Sequence, residues 1–246
     1  MTSVRAAAVV IPAFDEEALL PAALAAVARA CRHPALSSTR LLTVVAVDSC
    51  TDDTESVAQE AGAVVVSLRV RNPGRARAAG VALALRTLAM DPAAVWIAST
   101  DADSEVPASW LAYQLSCAAQ GWDGVVGTVR PQGWPPALDE VIHDHIRAYR
   151  AAGNDHGARD FGAEGIHPHV HGANLGVRAD AYLRCGGYPP LESGEDRALV
   201  SALESSGSRL LRTAGCPVLT SARLTARARG GFGDDLARLV TRGSAE

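Results

Sequence analysis

Short unbroken apolar runs alternate along this chain with stretches in which apolar residues recur every three or four positions. Residues 6–11 are apolar throughout and stop at Pro12, the pattern of a strand buried on both faces. In residues 18–30, Leu19, Leu20, Leu24 and Val27 fall at helical spacing, and Asp15, Glu16 and Glu17 precede them where negative charge complements a helix dipole. The alternation then repeats. A run at 41–47 delivers Asp48, and Thr51 or Asp52 caps a helix reaching residue 61. A run at 63–68 precedes an Ala-rich helix ending at 88. The run at 95–98 stops abruptly in Ser99-Thr100-Asp101-Ala102-Asp103-Ser104, Pro107 suits the first turn of a helix running to residue 120, and 125–129 forms a fifth strand. Strand and helix in alternation predict an α/β fold with a doubly wound, mainly parallel sheet flanked by helices.

Beyond residue 130 the periodicity weakens. Residues 131–136 are a turn-rich break, 137–152 suit a helix, and 153–165, rich in glycine and charge, read as a loop that closes over a substrate. His167, His169 and His171 alternate, which puts them on one face of an extended chain. Pro168 argues against a central strand there, and substrate contact is preferred over metal ligation. A tight turn at 186–190 precedes a helix that opens around Glu195-Asp196 and runs to 204. Residues 209–218 hold one strand or two, and Arg223, Arg227 and Arg229 lie ahead of a short last helix.

Composition narrows the class. At 246 residues, 48% hydrophobic and 20% charged, the chain fits one large globular α/β domain or two small ones. No apolar run approaches the ~18 residues of a membrane span, and the amino end reads as a core strand, not an export signal. A net charge of -4 excludes bulk nucleic-acid binding through a basic surface. All 23 basic residues are Arg, so an anion site here uses guanidinium groups, backbone N–H groups or a metal. Five cysteines, scattered and without CxxC spacing, suit a reducing cytoplasm better than a zinc site or a disulfide framework.

The candidate chemistry sits where strands end, which is where an open α/β sheet places its ligands. Asp101 and Asp103 repel one another unless a cation or a donor-rich ligand compensates them, and a hard divalent ion shared with a diphosphate would do so. Capping the next helix is the competing explanation. Asp48 either accepts hydrogen bonds from a ribose or base or caps its loop. Gly74 permits a close backbone approach, and the helix start with Arg75 or Arg77 suits an anion, unless those arginines are only solvated. Glu195-Asp196 complements a helix dipole or, facing the same cleft as Asp103, supplies a general base. Arg223, Arg227 and Arg229 are suited to clamping a diphosphate or form a basic surface.

Taken together, these segments resemble family 2 inverting glycosyltransferases of the GT-A fold. Residues 9–17 look like that family's opening strand and turn, 47–54 its second element and 72–80 its third. Asp101-Ala102-Asp103 resembles its D-x-D motif, Gly172-Ala173-Asn174 its acceptor-side turn, and Glu195-Asp196 its E-D motif. The resemblance implies a Rossmann-like nucleotide-sugar-binding half over 1–130 and an acceptor-binding half over 131–246 of one continuous domain. It implies that Pro12, Ala13, Phe14 and Glu16 line the nucleoside pocket, that Asp48 bonds the base, and that Arg75 or Arg77 lies near the base or diphosphate. Asp101 would contact the ribose or sugar, Asp103 would hold Mg²⁺ or Mn²⁺ on the diphosphate, and Asp196 would deprotonate an acceptor hydroxyl near His171. The donor would be a UDP- or GDP-sugar, and a homodimer is compatible with the sequence.

The chain departs from the family pattern in three places. Asp15 stands where Asn is usual and Phe14 where Tyr is common, the Q-x-x-R-W signature of processive members is absent, and no His lies beyond His171. Water or the arginines at 223–229 would then complete the metal's surroundings. A sugar-phosphate nucleotidyltransferase is the rival enzyme, although the first turn lacks the glycine-rich basic loop it would want. A non-catalytic nucleotide-sugar-binding protein is the rival outside catalysis. No GxGxxG follows the first strand, which disfavours a dinucleotide dehydrogenase.

Overall fold

A computed structural model describes residues 3–132, 169–221 and 223. The helix expected at 137–152, the loop at 153–165, His167, Arg227, Arg229 and the last helix lie outside the described residues.

The expected alternation forms. Strands β1 (Ala6–Ala13), β2 (Arg40–Asp48), β3 (Val64–Leu68) and β4 (Val95–Ser99) run parallel in the order β3-β2-β1-β4. Helices α1 (Leu20–Cys31), α2 (Thr54–Glu60) and α3 (Pro73–Leu88) connect them. Beyond β4 the sheet continues through β7 (Leu175–Arg178), β6 (Gly124–Pro131), β8 (Leu210–Thr220) and the two-residue β5 (Ser104–Glu105). Helix α4 is Trp110–Ala119, α5 is Ala179–Arg184 and α6 is Glu195–Ser205.

The period of two along β1 sorts its side chains. Ala7, Val9 and Ile11 face one core with α1 and α4, where Leu24, Val27 and Trp110 pack. Ala6, Ala8 and Val10 face the other, with Val81, Ala84 and Leu88 of α3 and Leu199, Val200 and Leu203 of α6. Both faces are covered, so the strands read as continuous apolar runs. Gly80 lets α3 lie close on β1, since a Cβ there would stand 2.6 Å from Val10 Cγ1.

The structure corrects the sequence reading in three details. Strand β7 runs antiparallel between β4 and β6, breaking the parallel repeat, and four residues containing Gly176 are too short to show a period. Pro107 lies before the first turn of its helix, which begins at Trp110; its carbonyl accepts from the Trp110 N–H at 2.9 Å. The cap of α2 is Asp53, while the Asp52 carboxylate accepts from the Thr54 N–H at 3.1 Å.

Candidate active site

The C-terminal ends of β1, β2 and β3 carry three non-glycine residues in left-handed backbone: Asp15 (φ 49°), Ser49 (φ 61°) and Arg71 (φ 46°). Such conformations persist only where neighbours enforce them, and they cluster at ligand sites. Here the loops are laced together. Asp15 Oδ1 accepts from the Thr51 N–H at 2.6 Å, the Glu17 N–H donates to Asp52 at 3.1 Å, and the Asp53 N–H donates to Glu17 at 2.9 Å. Asp at position 15, rather than the more usual Asn, keeps both the tolerance of this conformation and the acceptor. The Arg71 guanidinium lies 5.3 Å from the centre of the Phe14 ring, so this Phe needs no hydroxyl to be held. A cavity of about 350 Å³ opens beside these loops, lined by Val47, Ser49, Cys50, Glu55, Ser67, Leu68 and Arg69. Asp15, Cys50 and Asp52 bring ligand-type atoms within 4.8 Å of one another, a juxtaposition across two loops that no sequence spacing announces. Pro12 is half-buried and Ala13 is buried, both at the end of β1.

Asp48, at the end of β2, holds the loop that follows β3. Its carboxylate accepts from the N–H groups of Val70 (2.8 Å), Arg71 (3.0 Å) and Asn72 (2.7 Å) and from the Ser49 hydroxyl (2.9 Å). It is 4% exposed and shapes the 70–72 loop. Burial alone raises this carboxyl, but the backbone donors outweigh it and hold it below its ordinary value. The stability this provides is complete above the unfolded value of 3.8 and is lost as pH falls through the lower folded value. Asp48→Ala, which strands three N–H groups, should cost about 3 kcal/mol or more at neutral pH. Urea midpoints at pH 7 and pH 3 check both statements, because the variant's deficit should shrink in acid.

The start of α3 is also committed to the chain itself. The Asn72 side chain accepts from the Arg75 N–H at 2.9 Å and donates to Pro190 O at 3.1 Å, while the Gly74 N–H donates to Leu191 O at 3.3 Å. A Cβ on Gly74 would fall 2.1 Å from Pro189 O, so the close approach foreseen at Gly74 is to the 189–191 segment and not to a nucleotide. Arg75 is exposed. Arg77, expected near a base or diphosphate, is 4% exposed in the interior. Its Nε donates to Glu195 Oε1 at 3.0 Å, Nη1 to Ser99 Oγ at 2.6 Å and Nη2 to Asp101 Oδ1 at 2.6 Å. Burial disfavours its charge, but Asp101 and Glu195 outweigh that and raise its pKa. A signal for this was present: Arg77 lies at helical spacing on the stripe of Val81, Ala84 and Leu88.

The D-x-D segment follows β4. Ala102 is buried, Asp101 leans on Arg77 with 35% of its side chain exposed, and Asp103 points to a second arginine. Arg223 Nη2 donates to Asp103 Oδ2 at 2.7 Å, and its two Nη groups hold the Glu16 carboxylate at 2.7 and 3.1 Å. Arg223 and Glu16, expected at a diphosphate and a nucleoside, are thus found on each other, with Asp103 joined to them. Burial first and Asp101 second raise the Asp103 carboxyl, and Arg223 opposes both.

On the acceptor side, Asp196 opens α6 beside Glu195. Its Oδ2 accepts from the Gly172 N–H at 2.8 Å and its Oδ1 from the Arg197 N–H at 2.7 Å. Burial and the Glu195 charge raise its carboxyl, and Arg77 pulls the other way. Gly172 belongs to a short 3-10 turn, Gly172–Asn174, that begins after His171. His169 and His171 stack with ring centres 5.8 Å apart. Asn174, expected to meet an acceptor, is instead a core strut. Its Oδ1 accepts from Trp110 Nε1 at 2.8 Å, and its Nδ2 donates to Thr128 O at 2.8 Å and Cys216 O at 2.9 Å. Ala173 is buried with it.

Among the described residues, Arg77 thus holds Asp101 and Glu195, Arg223 holds Glu16 and Asp103, and Asp196 feels Arg77 through its charge alone. Asp101 and Asp103, one residue apart just past the end of β4, offer the oxygen ligands that a hard cation takes, and burial and the Asp101 charge raise the Asp103 carboxyl.

A family model described as Glycosyl transferase family 2 matches residues 8–185. No curated protein matches the chain in sequence. Among solved structures, a mannosyltransferase from Pyrobaculum calidifontis in complex with GDP-Man and Mn²⁺ is 18% identical with a TM-score of 0.64, over 100% of this chain and 65% of its own. TarS from S. aureus in complex with UDP-GlcNAc is 13% identical with a TM-score of 0.64, over 96% of this chain and 65% of its own. Glucosyl-3-phosphoglycerate synthase from Mycobacterium tuberculosis, in complex with Mn²⁺ and UDP-glucose, is 18% identical with a TM-score of 0.56, over 98% of this chain and 77% of its own. The chain spans 65% of the length of the first two. At these identities the likeness speaks for the fold, and the family model, matching well over half the chain, gives the affiliation: this chain belongs to glycosyl transferase family 2 and has the GT-A fold.

Proposed function

We propose that this protein transfers a sugar from a nucleoside-diphosphate donor to a hydroxyl acceptor by a single displacement with inversion. The observation that carries the reading is that Asp101 of the Asp101-Ala102-Asp103 segment and Glu195, the neighbour of Asp196, meet on one guanidinium, that of Arg77. Residues 1–130 supply the donor side, with Pro12, Ala13 and Phe14 beside a UDP- or GDP-sugar, and residues 131–246 the acceptor side. The solved neighbours with GDP-Man, UDP-GlcNAc and UDP-glucose support a nucleotide-sugar donor. No helix among the described residues is long and apolar enough to cross a membrane, and the five cysteines are free, in keeping with the cytoplasm.

Asp103 would hold Mg²⁺ or Mn²⁺, which when bound offsets the negative charge developing on the departing diphosphate. Asp196 accepts the proton of the acceptor hydroxyl as its oxygen attacks the anomeric carbon, and the C–O bond to the diphosphate breaks on the opposite side. The Gly172 N–H aims Asp196, and Asp101 steadies the sugar or ribose. Incubation with UDP-glucose, UDP-GlcNAc and GDP-mannose, with and without Mn²⁺, tests the proposal. Metal-dependent release of nucleoside diphosphate and a product of inverted configuration are expected. Nucleoside triphosphate and sugar 1-phosphate formed from the nucleotide sugar on addition of pyrophosphate would point to nucleotidyl transfer, and binding without product to a sensor; either defeats the reading.

A further inference from the structure

We propose that Arg77 is a positioning residue, whose buried guanidinium fixes Asp196 by holding both of the groups Asp196 leans on. The inference rests on the assignment of Asp196 as base. One support is Glu195, the preceding residue, which takes the Arg77 Nε–H at 3.0 Å. The other is Gly172, whose N–H donates to Asp196 Oδ2 at 2.8 Å. Gly172 lies flat on the guanidinium: a Cβ there would fall 2.4 Å from Nη2 and 2.8 Å from Cζ. The remaining arms, Nη1 to Ser99 and Nη2 to Asp101, tie the same plate to the end of β4 at 2.6 Å each. Donor-side and acceptor-side carboxylates therefore share one rigid spacer and move together or not at all.

Stability alone accounts poorly for such a group, because a buried ion cluster is often no better than apolar packing of the same volume. A planar fork that meets several partners at fixed angles is what geometry requires, and an ammonium cannot reproduce it.

Arg77→Lys, Asp196→Asn and the double variant test this in the whole chain. Hydrogen exchange of the Gly172 amide is read without ligand, and hydrolysis of UDP-glucose and GDP-mannose with Mn²⁺ is read with water as acceptor. In Arg77→Lys the Gly172 amide should lose at least about tenfold protection, and hydrolysis should fall about a hundredfold. The double variant should be no slower than Asp196→Asn alone, since Arg77 acts through the group already removed. Unchanged protection, or two losses that multiply, overturns the proposal. A wild-type rate in Asp196→Asn overturns the base assignment instead, and the exchange result then decides Arg77 independently. Should Arg77→Lys fail to fold, Glu195→Gln, which keeps the shape and removes the charge facing Nε, carries the same exchange test.

Discussion

Asp196→Asn is expected to lower turnover by about 10²–10⁴-fold while donor binding stays intact. Each Asp196 oxygen receives one backbone N–H, from Gly172 at 2.8 Å and from Arg197 at 2.7 Å, which leaves lone pairs on both for an acceptor hydroxyl. Asn preserves the outline but cannot take up the proton. Burial and Glu195 raise the Asp196 carboxyl against the pull of Arg77, so turnover should fail on the acid side at a higher pH than an ordinary carboxylate would set. Steady-state rates across pH, with calorimetric donor affinity alongside, check both parts. Full turnover in the variant removes the base, and lost donor affinity would make Asp196 a binding residue.

Asp103→Asn should act on the other half of the reaction, weakening Mn²⁺-dependent donor binding by about a hundredfold or more while sparing the fold. Asp103 is placed by Ser104 at 3.2 Å and by Arg223 at 2.7 Å, and Arg223 keeps its two-pronged grip on Glu16 when Asp103 is neutralised. The loss should therefore appear as a vanished Mn²⁺ increment in the melting temperature with nucleoside diphosphate, since only a ligand of the native state raises it. An undiminished increment means that the ion is held elsewhere, and the cluster of Asp15, Cys50 and Asp52 is then the next place to look.

The carboxylates were legible because each terminates an apolar run or opens a helix, so periodicity places it at an edge of the sheet. Their partners were not. Arg77 looks like one of several solvated arginines at a helix start until its phase is compared with Val81, Ala84 and Leu88. Gly74 and Asn174 carried real constraints, but the constraining groups, Pro189 O and the Trp110 indole, lie more than sixty positions away along the chain. Asp48 was ambiguous between loop and ligand because one carboxylate serves either, and its loop role appears only with the three converging N–H groups of 70–72. Strand β7 escaped detection because it is four residues long.

That short reversed strand has an evolutionary corollary. Val126 of β6 pairs with Leu175 at the start of β7, so two positions far apart in the sequence stand side by side in the sheet. A connection with neighbouring anchor points can be lengthened, shortened or swapped at little entropic penalty. Relatives can therefore differ in the number of residues between these two positions while the β6–β7 register is kept.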